Sequence, residues 1–351
     1  MMNIKAFHPG IYIKDSLDVM EMTSKEFSAR TGISERTLSS IITGKGDITF
    51  EVAYKLAEFF DNSVNFWTNL QNQYDIYLKE SEKEKELKND GELFKKIEKY
   101  LFENKFISDE QDKISNIYNA RKIAGVNSLS LLNTKDSLIC FKEVNTQKTT
   151  DFFAQNFWIA LALNEARKKI SGKYDKEKLI NYIPEIRSLT IKEPNFFYPR
   201  LQEIFNECGI SFVLLPYLTK SNIYGATKWF SKNNVMLAIS NRNEKADLFW
   251  FTLFHEISHV LMEHRREALV NIDGSDDEVA NKMAENMLIS ELEWNEFIKK
   301  ESFTIDSIEN FALKVNILPC IVLGRLHKER PNLVPYGKFD KYFNISYTLK
   351  N

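Results

Sequence analysis

The chain has 351 residues, of which 43% are hydrophobic and 13% aromatic, so it is long enough for two folded units that each bury a core. The formal net charge of −2 at pH 7 excludes a strong overall attraction to nucleic acid or anionic lipid, so any DNA contact must be local. We expect a cytoplasmic protein without membrane contact, because no apolar run approaches roughly 20 residues, no secretory signal is visible and the three cysteines form no CxxC pair.

Three zones of different texture predict a multidomain fold. Residues 1–78 contain short helical patterns separated by turn signals such as "TGIS", typical of an all-α helix-turn-helix domain. Residues 79–148 begin with alternating charges and predict an exposed helical connector. Residues 149–351 mix strand patterns such as "NNVMLAIS" with helical patterns such as "DLFWFTLFHEISHVLMEH". We therefore predict an α+β C-terminal domain.

A helix-turn-helix pattern occupies the middle of the first zone. Thr23 or Ser24 can cap one helix, Gly32 permits a tight turn, and Ser34 can cap a second helix. The polar face of this second helix suits a major groove, because a helix N-terminus faces phosphate and arginine can bond guanine at two points. A plain helical bundle with a solvated polar face is an equal alternative on spacing alone. The predicted DNA-contacting residues are Ser34, Glu35, Arg36, Thr37, Ser39 and Ser40.

The charge of this zone favours weak DNA binding by a single copy. Residues 1–78 carry seven Lys and Arg against ten Asp and Glu, a net charge of 7 − 10 = −3. Nonspecific affinity for DNA comes from neutralised phosphates, so the domain needs a second copy or a well-matched operator. We therefore expect a homodimer on double-stranded DNA.

The segment that begins "HPGIYIKDSLDVMEMTSKEFSARTGISERTLSSIITGKG" and ends "FWTNLQNQYD", at Asp75, resembles the XRE-type DNA-binding domain of the HigA antitoxin family. This likeness covers nearly the whole zone and includes the FW-x-NLQ-x-x-YD ending. The resemblance implies a helix-turn-helix fold and a DNA operator as partner, and it leaves a toxin-like protein partner open.

The "HEISH" sequence of the third zone predicts a zinc site. His255 and His259 are four residues apart, which places both imidazoles on one face of a helix within reach of one ion. Glu256 lies beside them and is the predicted catalytic base for an attacking water. The alternative is a core helix that carries two histidines by chance. His264, nine residues after His255, would lie on the opposite side of an ideal helix and is not an expected ligand.

The third zinc ligand is expected in "GSDDEVANKMAENMLIS". Ser275 and Glu278 have the spacing of a capping box, so a helix should start there with Asp277 on its inward stripe. A buried carboxylate needs a partner such as a metal, which favours Asp277 over Glu278 as the ligand. Asn281, one turn later, can orient a ligating histidine.

Four blocks of the third zone resemble, in order, the ImmA/IrrE family of zinc metallopeptidases. They are "SNIYGATKWFSKNNVMLAIS", "DLFWFTLFHEISHVLMEH", "DEVANKMAENMLI" and "VNILPCIVLGRLHKE". The resemblance implies a zincin-like fold of the gluzincin type, with zinc held by two histidines and the acidic residue of an E-x-x-A-(N/D) pattern. In "DEVAN" the shorter Asp277 stands where the glutamate of that pattern would stand, and Glu278 is the alternative.

The two resemblances together imply a DNA-binding regulator whose endopeptidase domain cleaves a repressor or antitoxin-like protein. In zincins an extended substrate pairs with an edge strand, for which "VMLAIS" (235–240) is the candidate. Gly225 and Ala226 would permit close backbone approach. Two alternatives stay open: an antitoxin-type transcription factor whose zincin domain senses a metal or ligand without turnover, and a hydrolase that acts on something other than protein.

Overall fold

The structure is a computed structural model that describes residues 6–109, 112–134, 151–169, 172–263, 269–272, 277–299 and 302–347. The chain divides into two compact units, with Asn89 the last residue of the first and Asp90 the first residue of the second. The molecule is multidomain and mostly helical, with one small sheet in the second unit. Among the described residues, no single helix is long and apolar enough to cross a membrane, and only one pair, bent by 115°, passes that test when its two helices are joined.

The first unit is all-α, as its sequence predicts. Its helices are α1 (Gly10–Val19), α2 (Ser24–Thr31), α3 (Glu35–Ile42), α4 (Phe50–Phe60) and the larger part of α5 (Val64–Phe94). Phe27, Leu38 and Trp67 are among the buried side chains of its core. Gly10 lets α1 approach α3 closely, because a side chain at this position would overlap the Ile41 carbonyl group.

The caps of α2 and α3 confirm the predicted helix-turn-helix. Thr23 Oγ1 accepts a hydrogen bond of 3.2 Å from the amide of Glu26 at the start of α2. Gly32 ends α2 in the left-handed conformation with φ of +66°. Ser34 Oγ then accepts a bond of 3.1 Å from the amide of Thr37 at the start of α3.

Of the elements that the structure describes, the remaining helices and all four strands lie in the second unit. Its elements after α5 are α6 (Glu98–Glu103), α7 (Lys113–Ala124), α8 (Phe152–Lys168), α9 (Lys176–Ser188), α10 (Pro194–Glu207), β1 (Ile210–Leu215), β2 (Ile223–Trp229), β3 (Val235–Ser240), α11 (Ala246–Leu261), β4 (Leu269–Ile272), α12 (Glu278–Leu288), α13 (Glu291–Ile298), α14 (Ile305–Val315), α15 (Pro319–Glu329) and α16 (Asp340–Phe343). Helix α11 packs on β2 and β3, and α12 and α15 pack beside α11.

The sheet has the strand order β1-β3-β2-β4. Strands β1 and β3 are parallel, whereas β2 is antiparallel to both β3 and β4. The "VMLAIS" segment is β3, an interior strand paired on both sides, so the expectation that it offers a free edge to a substrate is wrong. Its six residues are all buried, and such uniform burial fits an interior strand covered on both faces.

The predicted connector, residues 79–148, does not form a zone of its own in the described chain. Residues 90–134 lie in the second unit, where Phe94, Ile97 and Leu101 are buried. The division at Asn89 and Asp90 therefore differs from the predicted divisions at 78/79 and 148/149. The charged run at 79–89 predicts a helix exposed to solvent. The apolar residues that follow this run instead bury one face of a helix.

The buried carboxylate of Asp90 links the start of this segment to later residues through hydrogen bonds. Its side chain is fully buried and accepts bonds of 2.7 Å from Arg121 Nε, 3.0 Å from Ser128 Oγ and 2.7 Å from the Leu129 amide. Burial alone would raise the pKa of Asp90, but the hydrogen bonds from Leu129, Arg121 and Ser128 outweigh it and lower the pKa below its usual value. Asp90 is therefore charged in the folded protein at neutral pH.

Replacing Asp90 with alanine should destabilise the second unit by about 3–5 kcal/mol, because Arg121 would keep a buried charge without its carboxylate. Denaturant unfolding measures this loss. The matched control is Glu103→Ala, which breaks an exposed pair with Lys99 and should cost less than about 1 kcal/mol. The Asp90 contribution should be present above the pKa of an unfolded aspartate and disappear as the pH falls through the lowered folded pKa. Equal losses in the two variants would contradict this assignment.

Candidate metal centre and nucleic-acid interface

Helix α3 presents part of the predicted DNA-contacting set to solvent. Ser34, Glu35, Arg36 and Ser39 are exposed, whereas Thr37 and Ser40 are half-buried. Thr37 Oγ1 lies 2.8 Å from Ser34 Oγ at the cap. The Ser40 carbonyl group accepts bonds from the amides of the two residues at 45 and 46 in the turn after α3. The exposed face of α3 therefore centres on Arg36, and Leu38 and Ile41 fix the opposite face in the core.

The two histidines of "HEISH" face each other on α11. Their Nε2 atoms are 3.1 Å apart, and both side chains are buried. A tetrahedral zinc ion with Zn–N bonds of about 2.0–2.1 Å separates two imidazole nitrogens by about 3.3 Å. The spacing of His255 and His259 thus fits two nitrogen ligands of one ion.

Asn281 on α12 orients the first of these imidazoles. Its Oδ1 lies 2.9 Å from His255 Nδ1. Because an amide oxygen only accepts, Nδ1 carries the proton and the lone pair of Nε2 points toward His259. Burial lowers the pKa of His255, which favours the neutral imidazole that a metal requires, although Asn281 and Asp277 oppose this shift. The predicted orienting role of Asn281 therefore has a direct contact to support it.

Asp277 stands beside this pair and also caps α12. Its Oδ1 accepts a bond of 3.0 Å from the amide of Ala280, and its Oδ2 lies 3.9 Å from His259 Nε2. The predicted helix start at Ser275 falls outside the described residues, and the described helix begins at Glu278 with Asp277 as its N-cap. Glu278 is exposed on the first turn of α12. Of the two acidic candidates, Asp277 is the one near the histidines.

The side chains of His255, His259 and Asp277 do not converge on a single point. Within the described part of the chain, no group of three His, Cys, Asp or Glu side chains converges closely enough to hold a metal. The His–His distance matches a zinc site, whereas the 3.9 Å from Asp277 to His259 is longer than the separation of about 3.3 Å between tetrahedral ligands. The donor set fits zinc in its chemistry, with the carboxylate as the ligand that must move.

Glu256 points from α11 toward strand β2. It is fully buried, and its Oε2 accepts a bond of 2.7 Å from Thr227 Oγ1. Among the described residues, no hydrogen-bond donor reaches its Oε1. Burial raises the pKa of Glu256 to about 8, with Thr227 lowering it and Asp277 raising it further. A buried carboxyl group with a raised pKa is a common feature of functional sites.

The absence of a side chain at Gly225 makes room for Glu256. A Cβ atom at Gly225 would lie 2.8 Å from Glu256 Oε1 and 2.9 Å from Thr252 Cγ2. The expected close approach was that of a substrate backbone to Gly225 and Ala226, whereas in the structure side chains of α11 occupy the space beside Gly225. Sequence reasoning missed Thr227, because nothing in a hydroxyl 29 residues before Glu256 marks it as a partner.

The other histidines and the cysteines have separate surroundings. His8 Nδ1 accepts a bond from the Gly10 amide in the first unit, and His327 Nε2 donates to the Lys338 carbonyl group in the second. His264 and Cys140 fall outside the described residues. Cys208 and Cys320 are buried free thiols, and burial raises the pKa of both above the usual value. None of these described side chains joins the His255–His259 pair.

Comparison with known proteins defines the first unit as a helix-turn-helix protein. The family described as "Helix-turn-helix" matches residues 20–67. The HTH-type transcriptional regulator YddM of Escherichia coli is 39% identical over 68 residues, which are 19% of this chain and 72% of that protein. The antitoxin HigA-1 of Vibrio cholerae is 34% identical over 82 residues, which are 23% of this chain and 77% of that protein.

Through this region the chain belongs to the XRE-type helix-turn-helix family that includes these regulators and the HigA antitoxin. A solved structure of a HigA-family addiction module antidote protein from Coxiella burnetii is 28% identical. The match covers 24% of this chain and 95% of that one, with a TM-score of 0.23. The family match at residues 20–67 lies within the first unit.

Proposed function

We propose that the chain is a cytoplasmic transcriptional regulator that binds a double-stranded DNA operator as a homodimer through α3. The exposed polar face of α3, with Arg36 near its N-terminus, carries this proposal. An arginine at this position can bond a guanine at two points while the helix N-terminus faces phosphate. The relatives named as HTH-type transcriptional regulators support the same role.

Arg36→Ala should weaken specific operator binding by about 1–3 kcal/mol, as loss of a base contact at two points would. Electrophoretic mobility shift on DNA from the promoter of the protein's own gene measures the change. Lys79→Ala is the matched control, because it removes one positive charge from an exposed ion pair on α5, outside the helix-turn-helix. Equal weakening in both variants would mean that Arg36 acts only as a charge and that α3 does not read the operator.

We propose further that the second unit is a zincin-like domain of the gluzincin type. The observation that carries this proposal is the pair of buried imidazole nitrogens 3.1 Å apart, with His255 oriented by Asn281. In this proposal His255, His259 and Asp277 hold Zn²⁺. The resemblance of four sequence blocks to the ImmA/IrrE metallopeptidases supports the same ligand set.

Zinc held by His255, His259 and Asp277 would polarise a carbonyl group and favour attack by water at neutral pH. The chain supplies the base: Glu256 takes a proton at Oε1, the oxygen that no described protein group bonds. Thr227 holds the other oxygen and thereby fixes the direction of the carboxylate. Without a metal, the pKa of about 8 keeps this carboxyl group protonated at neutral pH, so it acts as the base only where the charge of a bound zinc ion would lower that pKa.

The proposed reaction is endoproteolytic cleavage of a specific regulatory protein, a repressor or an antitoxin-like chain. The sensor alternative, a transcription factor or antitoxin with a toxin-like partner and no turnover, is favoured by the complete burial of Glu256. Quantifying new protein N-termini in cells that produce either the wild type or Glu256→Gln separates the two. The peptidase predicts cleavage products that only the wild type generates, whereas identical sets of N-termini would support the sensor.

A further inference from the structure

A cavity of about 490 Å³ lies in the second unit, where α11, α12, α15 and α16 meet. This volume is in the range of sites for small organic molecules. Aromatic and aliphatic side chains form much of the wall, among them Tyr224, Phe251, Leu288 and Ile321. The cavity also includes Asn281, the residue that bonds His255.

Two of the three Lys and Arg side chains in the wall, Arg325 and Lys328, are paired with carboxylates of the protein. Arg325 Nε lies 2.7 Å from Glu329 Oε1, and its Nη1 donates to the Ile289 carbonyl group at 3.0 Å. Lys328 Nζ lies 2.8 Å from Glu285 Oε1. These two ion pairs leave no net positive charge in that part of the wall.

Two other carboxylates in the wall of the cavity, Asp340 and Asp247, have weaker charge compensation from the protein. Asp340 lies 3.8 Å from His327 Nε2, which is a charged contact only when the histidine is protonated. Asp247 on α11 is half-buried, and in the described chain no Lys, Arg or His nitrogen lies within 4.0 Å of its carboxylate. Lys245 also lines the cavity and is exposed. Burial raises the pKa of Asp247 and the charge of Asp340 adds to this, whereas the Leu248 amide and the charge of Lys245 oppose it.

The position of Gly324 on α15 keeps the Asp247 carboxylate accessible from the cavity. A Cβ atom at Gly324 would lie 3.3 Å from Asp247 Oδ2, so any larger side chain would crowd it. The ring of Tyr336 lines the same cavity and can attract a cation, whereas Lys328 and Arg242 already lie over the rings of Phe251 and Tyr224. An apolar body with one positively charged end matches this wall.

We propose that this cavity binds a small organic cation, a protonated amine or guanidinium on an aromatic or aliphatic body, with Asp247 as its counter-ion. Asn281 joins the ligand site to His255 through a single hydrogen bond. Binding itself does not require zinc or turnover, so the inference stands apart from the proposed peptidase.

Isothermal titration of the full-length chain with 2-phenylethylamine and with its neutral counterpart 2-phenylethanol tests this site. The amine should bind the wild type at least tenfold more tightly than the alcohol, because only the amine can form a charged hydrogen bond. Asp247→Asn should weaken the amine by about tenfold or more and change the alcohol less than about twofold. Gly324→Leu, which fills the space beside Asp247, should abolish binding of both.

Asp306→Asn is the matched control, since Asp306 is an exposed aspartate at the same position in the first turn of α14 that Asp247 has in α11. Its amine affinity should equal that of the wild type, and thermal melting confirms that each variant is folded. The proposal is overturned if the amine does not bind at millimolar concentration, if amine and alcohol bind equally, or if folded Asp247→Asn and Gly324→Leu both bind the amine like the wild type. Metal content is measured in parallel, so failure of the zinc proposal is seen separately.

Discussion

His259→Ala should abolish zinc binding, taking the purified chain from about one ion per molecule to none. His259 Nε2 is one of the two nitrogens that face each other at 3.1 Å, and the imidazole and the carboxylate that remain are too few ligands for a protein zinc site. His255→Ala should have the same effect. Elemental analysis after dialysis against a weak chelator provides the measurement, and His327→Ala, a buried histidine outside the pair, should keep its full complement of metal.

The acidic ligand is distinguished in the same assay. Asp277→Ala should lower the affinity for zinc strongly, whereas Glu278→Ala should leave it unchanged, because only Asp277 lies near the histidines. Asn281→Ala should weaken zinc binding about 10–100-fold by releasing the His255 ring. If Glu278→Ala depletes the metal and Asp277→Ala does not, the ligand assignment is wrong.

Glu256→Gln should abolish cleavage of the substrate protein, with a loss of about 10²–10⁴-fold in rate, while zinc content and operator binding stay at wild-type levels. The substitution keeps the size of the side chain and the contact to Thr227 but removes the base. Pulse-chase measurement of the substrate's half-life, at equal abundance of the two chains, tests this. Glu278→Gln is the matched control, since it removes an exposed carboxylate from the neighbouring helix.

A half-life that is the same with the wild type and with Glu256→Gln would exclude the peptidase and leave the sensor. The variant must be folded for this comparison, and unfolding is an unexpected outcome because glutamine has the size of Glu256 and adds no charge to the buried site. Gly225→Ala offers a second route, because its Cβ would displace Glu256 Oε1 from its place beside β2 without changing any titratable group. Cleavage by Gly225→Ala at the wild-type rate would contradict the proposed role of the Glu256 carboxylate.

The sequence predicted the first unit well because its signals are local. A capping hydroxyl, a left-handed glycine and a second cap follow each other within 12 residues, at Thr23, Gly32 and Ser34. Each acts on amides three or four residues away, so no distant partner is needed to recognise it.

The histidine pair was predictable from one helix, but its surroundings were not. The spacing of His255 and His259 fixes their common face through the geometry of a single helix. Thr227, by contrast, reaches Glu256 only because β2 packs against α11, and that contact depends on strand order. The same dependence explains why β3 was mistaken for an edge strand: its sequence shows a buried strand, but not which neighbours pair with it.

The segment after Asn89 was misread for a related reason. Its charged start suggests a solvated spacer, whereas Asp90 is buried by Arg121 and Ser128, more than 30 residues further along the chain. A charged residue is expected at the surface unless a partner satisfies it, and nothing local identifies that partner.

Diffraction from crystals of the full-length chain grown with zinc, recorded at the zinc absorption edge, tests the central claim most directly. We expect one strong anomalous peak about 2.0–2.1 Å from the Nε2 atoms of both His255 and His259, with Asp277 Oδ2 drawn in from 3.9 Å to ligand distance. A peak at other residues, or no peak while the two imidazoles still face each other, would contradict the metal centre and the peptidase with it.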